Sequence, residues 1–280
     1  MNELREPLEK YFNRIANLQG TLLHIEKALT DYSKIFKLRY NKSKDKMPDF
    51  ALGLRLIISD ITGETDNGWD FYFPTDGKHI VTATKYDNEI DHLIKRETGY
   101  SLAQGLESFI TFLKDILASY FTIKPDEAIR LNVVDESEDI KDIDWGDAIR
   151  NYKSGKNNKN LFKLIRKINN NFEYSERNNN KQIDFKDWYA VYSLFRHKMI
   201  HERGRLLKTD KDFMNFNSKQ MRYLENYFPF YESEGILIFS IKRKVGDISL
   251  KLLSEYAFLI FKELSISLGY DWKILKNMKK

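Results

Sequence analysis

Residues 187–206 read DWYAVYSLFRHKMIHERGRL, and their periodicity sets the expectation for the chain around them. At 3.6 residues per turn Trp188, Tyr192, Phe195 and Met199 fall on one line, the stripe that an amphipathic helix turns toward a core. Ala190, Leu194, His197 and His201 form a second line on the opposite side, spread over roughly 40°. Two opposed stripes imply two packing partners. The first suits the interior of the domain; the second, apolar at its start and imidazole at its end, suits a second subunit or a substrate. Gly204 is the expected stop, with Arg203 and Arg205 where cations complement the negative end of the helix dipole.

The composition is that of a globular protein: 280 residues, 42% hydrophobic and 31% charged, with only 5 Pro and 13 Gly, enough for one large domain or two ordinary ones. The absence of cysteine excludes disulfides, thiol catalysis and thiolate metal sites, and fits a reducing compartment. The N-terminus MNELREPLEKYF carries charges throughout, so no signal peptide is expected. The most apolar long run, 248–270, holds Lys251, Glu255, Lys262 and Glu263, charges a membrane span would not tolerate. A cytoplasmic protein with no membrane partner is the expectation.

The net charge of +5 is too small to argue for nucleic acid alone. Its distribution says more. Residues 153–167 hold six bases and no acid, and 196–208 hold five bases against Glu202, whereas 135–147 hold seven acids against Lys141. The basic excess flanks the central stretch, as a polyphosphate ligand requires, although a solvated helix face explains each run separately.

Elsewhere, 3–18 and 22–38 have helical spacing, and the Gln19-Gly20-Thr21 break predicts a helical hairpin. Segments 54–61, 69–73 and 79–84 are short and rich in β-branched and aromatic residues, separated by GETDNG and PTDG, which predicts a small antiparallel sheet. Helices are predicted across 102–121, 145–152, 161–168, 218–227 and 248–268, with strands at 131–134 and 235–245. The asparagine-rich 169–180 predicts a surface loop. The boundary falls at 97/98, though the 235–245 strand has the alternation to join the N-terminal sheet.

Arg196, His197 and His201 in RHKMIH match the R-x4-H signature of the HEPN superfamily, in the variant with a polar residue directly after the arginine, and the chain resembles that family loosely from about 100 to 269. The resemblance implies a mainly α fold: a HEPN-like four- to five-helix bundle over 98–280, with a smaller α+β region over 1–97 containing a short antiparallel sheet. It further implies a metal-independent endoribonuclease, with neither cofactor nor metal, formed where two motif helices meet in a homodimer. Toxins and antiviral effectors, some with an antitoxin or regulatory partner, are common in the family. Members without the motif serve as modules that bind RNA or a protein.

The chemistry fits the residue types. Histidine titrates near neutral pH and can take or give a proton, and arginine offers a planar fork to phosphate oxygens. The expected roles are Arg196 for phosphate and transition-state charge, His201 as general acid or base, and His197 as the orienting or second proton-transfer group. Arg196 and His201 stand about 140° apart around the helix, so a site is more easily assembled from two helices. Two alternatives stand beside this one. His197 and His201 have the spacing of a two-histidine metal site but lack the H-E-x-x-H order. Alternatively, the histidines are structural and Arg196 bridges to an acid. Asp184 and Asp187 are first of all helix N-terminal residues. His24, His79 and His92 fall outside any pattern.

Overall fold

A computed structural model of the chain describes residues 2–42, 50–59, 70–81, 85–135, 140–152 and 159–273. The chain is mainly helical, as its periodicities predict. Its contacts group residues 1–23 with 95–280 in one unit and 24–94 in a second. The boundary expected at 97/98 left residues 1–23 with the N-terminal region. Here Leu4, Leu8, Tyr11 and Ile15 are instead buried in the core of the larger unit.

The larger unit is a helical bundle. Its long members are the first part of α1 (Arg5–Lys42), most of α2 (Tyr86–Ile123), α7 (Phe185–His201) and α10 (Arg243–Ser267). Between α2 and α7 lie α3 (Pro125–Arg130), α4 (Trp145–Asn151), α5 (Lys159–Ile168) and α6 (Asn170–Arg177). Tyr256 of α10 is fully buried and stacks on Phe109, Phe162 and Phe185, with ring centroids 5.4, 5.5 and 4.8 Å away. Aromatic pairs of this kind each add about 0.5–1.5 kcal/mol beyond the area they bury.

After α7 come β3 (Arg205–Leu207), α8 (Lys211–Met214), α9 (Ser218–Tyr227), β4 (Phe230–Ser233) and β5 (Ile236–Phe239). The three strands form an antiparallel sheet in the order β3-β5-β4. The strand predicted over 235–245 therefore ends at Phe239 and pairs beside α7, not with the N-terminal sheet. Residues 243–247 instead open α10, where Arg243 pairs with Asp247 one turn on. Residues 131–134, predicted as a strand, form a turn after α3.

Two other expectations are corrected. The break at Gln19-Gly20-Thr21 is absent: α1 is one continuous helix. A helical glycine costs only about 1 kcal/mol against alanine, and burial of Leu22 two residues on offsets it. The asparagine-rich loop contains α6. Asn169 caps it by accepting from the Asn171 N–H, Asn179 donates to the carbonyls of Ser175 and Glu176, and Phe172 and Glu176 are buried.

In the smaller unit β1 (Phe50–Ser59) and β2 (Asp70–Val81) pair antiparallel, giving the expected short sheet. PTDG does not turn the chain. It lies inside β2, where the register shifts between Gly53 and Arg55. The GETDNG segment lies outside the described residues. In the same unit Ser33 donates to Asp87 at 2.8 Å and Phe36 stacks on Tyr86 at 4.3 Å.

Candidate functional site

Helix α7 is fixed at both ends. Asp184 caps its start by accepting from the Lys186 and Asp187 N–H groups. At its end Gly204 adopts φ +77° and donates to the Lys198 carbonyl at 2.9 Å, the stop its position predicts. The core stripe is as expected, with Trp188, Tyr192 and Phe195 fully buried and the Tyr192 hydroxyl donating to the Leu102 carbonyl at 2.9 Å.

The second stripe also holds together. His197 and His201 are both exposed, with ring centroids 4.8 Å apart, and among the described residues neither imidazole has a hydrogen-bonding partner in the protein. Arg196 lies apart from them. Its Nε stands 2.6 Å from Glu107 Oε1 of α2 in a charge contact without well-directed hydrogen-bond geometry. This is the bridge to an acid that the structural alternative anticipated. Glu107 is half exposed, and exposed ion pairs of this type are worth about 0–1 kcal/mol.

Inside the motif, Lys198 is buried and pairs with both Glu202 and Asp210. Burial works against the ammonium, but the hydrogen bonds to Asp210 and Glu202 outweigh it and leave its pKa raised. The hydrogen bond from Lys198 is the main cause holding the Asp210 carboxyl below its ordinary value. Asp210 also caps α8 through the Asp212 N–H.

Ala190, Leu194 and His197 of the histidine stripe form part of one wall of a groove of about 700 Å³. Lys186, Ala190, Ser193, Leu194 and His197 come from α7, Lys159, Phe162, Lys163 and Arg166 from α5, and Asp212, Asn215 and Phe216 from the segment after β3. On its α5 side Arg166 makes two hydrogen bonds of 2.8 and 2.9 Å to Glu176, a fully buried carboxylate that also accepts from the Tyr256 hydroxyl. Burial, then the charge of Glu176, pushes the Tyr256 phenol far above its ordinary pKa, so it stays protonated.

No family model, curated protein or solved structure matches this chain.

The site therefore rests on its own geometry. Of the three predicted residues, the fold brings His197 and His201 together and ties Arg196 to α2. Three members of the basic run at 153–167 line the groove; its first part, 153–158, lies outside the described residues. Lys186, Phe216, Glu107 and Lys198 were missed. Only Lys186 had a readable signal, since it lies four residues before Ala190 on the histidine stripe. Among the described residues no three His, Asp or Glu side chains are placed to hold a metal, and no helix is long and apolar enough to cross a membrane.

Proposed function

We propose that this chain is a metal-independent endoribonuclease in which His197 and His201 move the protons and the basic groove holds the RNA. The observation that carries this reading is the exposed histidine pair, 4.8 Å between rings, with His197 in the wall of a groove that four cations line. One imidazole, neutral, takes the proton of the ribose 2′-OH. The 2′-oxygen attacks phosphorus, the P–O5′ bond breaks, and the other ring, as imidazolium, protonates the departing 5′-oxygen. The products are a 2′,3′-cyclic phosphate and a 5′-hydroxyl, and general acid–base transfer of this kind is worth about 10²–10⁴-fold in rate.

Arg196 supplies charge to the phosphorane in a homodimer, where the motif helix of one protomer meets His201 of the other. About 140° of helix rotation separates the two residues within one chain. Glu107 is then the resting partner that phosphate displaces, and the weakness of an exposed pair makes the exchange cheap. In a cell the protein acts as a cytoplasmic toxin or antiviral effector.

A second reading, a non-catalytic module binding RNA or a protein partner, is favoured by one observation: among the described residues no carboxylate orients either imidazole. Cleavage of total RNA in EDTA, wild type beside His201→Ala, His197→Ala and Arg196→Ala, separates the two. Cutting that leaves cyclic phosphate ends and is lost in the variants supports the enzyme. Absence of cutting by wild type, or equal cutting by all four, replaces it with the binding module.

A further inference from the structure

The walls of the groove carry a charge pattern that a single scissile phosphate does not need. On α5, Lys159, Lys163 and Arg166 follow at i, i+4 and i+7 and so share one face, opposite the buried Leu161, Leu164 and Ile165. On α7, Lys186 stands eleven positions before His197, roughly 16 Å along the helix axis. Among the described residues Lys159, Lys163 and Lys186 have no ion-pair partner. Other cations of the same unit do: Arg177 with Glu173, Lys181 with Glu255, Lys208 with Glu232. Lining a groove with more cations than acids, three of them outside any ion pair, favours an anion there.

Arg166 adds a fixed element. Its side chain is 17% exposed, and Glu176 and Tyr256 behind it are fully buried, so its orientation is set before any ligand arrives. Phe216 is the most exposed of the aromatic rings in the groove, which suits it to stack on an unpaired base. Asp187, held by Gln220 at 3.1 Å, and Asp212 interrupt the cations and give acceptors for sugar hydroxyls or base amino groups.

We infer that the groove is an extended subsite for single-stranded RNA, running from the histidine pair to a phosphate-binding end formed by Lys163, Arg166 and Lys186. This rests on the RNA reading above and specifies which part of the RNA the protein holds. A stacked strand advances about 3.4 Å per nucleotide, so the roughly 16 Å between Lys186 and His197 spans about five nucleotides on one side of the cut. A base-paired strand cannot offer a base to Phe216.

The test is fluorescence anisotropy with the full chain and single-stranded RNAs of increasing length, 2′-O-methylated so that no cleavage occurs, across a series of salt concentrations. Affinity should rise with length up to about five nucleotides and then level off. Lys163→Gln and Lys186→Gln should each flatten the dependence of log Kd on log salt by about 0.7, and Phe216→Ala should weaken binding about tenfold. Lys10→Gln, an exposed lysine paired with Glu6 outside the groove, should leave the slope unchanged. Wild type that cuts RNA while Lys163→Gln and Lys186→Gln keep its slope, or a dinucleotide that binds as tightly as a longer strand, overturns the subsite alone. Wild type that binds no RNA at any length overturns the subsite and the ribonuclease together.

Discussion

The ammonium of Lys198, inside the motif, meets the carboxylate of Asp210, twelve residues downstream. Asp210 also caps α8, next to the Asn215 and Phe216 that line the groove, so the pair fastens the end of the motif helix to the opposite wall. Asp210→Asn keeps a competent cap and removes the charge. It should cost about 1.5–3 kcal/mol, the range for a hydrogen bond to a charged group, or several degrees in Tm. The cost should depend on pH in a defined way. Asp210 is depressed below 3.8, so its contribution is present above that value and lost as pH falls through the folded pKa. Lys198 is raised above 10.5, so its contribution is present below that value and lost as pH rises through the folded pKa. Urea midpoints of wild type and variant should therefore differ by a constant amount between these limits and converge beyond each. A gap that persists in acid would show that the ion pair is not its source.

Glu107 pairs with Arg196, and under the proposed ribonuclease reading this pair is the one that phosphate displaces. Glu107→Gln should change stability by less than about 1 kcal/mol, as for other exposed pairs, and should raise single-turnover cleavage while Arg196→Ala lowers it. If both substitutions reduce cleavage equally, the pair is needed intact and Arg196 does not serve phosphate.

Glu176 is fully buried and holds both Arg166 and Tyr256. Glu176→Ala leaves the part-buried Arg166 guanidinium and the buried Tyr256 hydroxyl without their shared partner and should cost about 3–5 kcal/mol. The exposed pair of Arg150 with Asp147 should cost less than about 1 kcal/mol when Asp147 is replaced by alanine. Chemical denaturation of the two variants checks the contrast; equal losses would mean that burial does not decide.

At Gly246 α10 comes so close to α2 that an added Cβ would stand 2.4 Å from Thr98 Cγ2. Thr98 is fully buried and β-branched, so it cannot swing aside. Gly246→Ala should destabilise by about 1–3 kcal/mol despite its better helix propensity. Thr98→Ser in the same chain should recover most of the loss; failure to do so would place the strain elsewhere.

The helices that carry the bundle were legible because large apolar side chains recur at helical spacing, as with Trp188, Tyr192 and Phe195, or Leu252, Tyr256 and Leu264. Helix α6 was hidden because one of its two buried residues is Glu176, which any apolar pattern scores as solvent-facing, and its asparagines act as caps. Strand β3, three residues long, is too short to show alternation. The continuity of α1 went unseen because Gly20 looks like a break whether or not the helix pauses. At the site, spacing alone placed His197 beside His201. The ties of Arg196 to Glu107, Arg166 to Glu176 and Lys198 to Asp210 join residues far apart in sequence or on different helices, and nothing local announces them.

Between Arg196 and His201 the intervening residues are not interchangeable filler. Met199 is buried against Gly204 and Lys198 is enclosed by two carboxylates, while Ile200 is 47% exposed. A library randomised across this segment and selected for soluble folded protein would drift freely at 200 and hardly at all at 199. The signature therefore conceals two positions under tighter selection for folding than the histidines themselves.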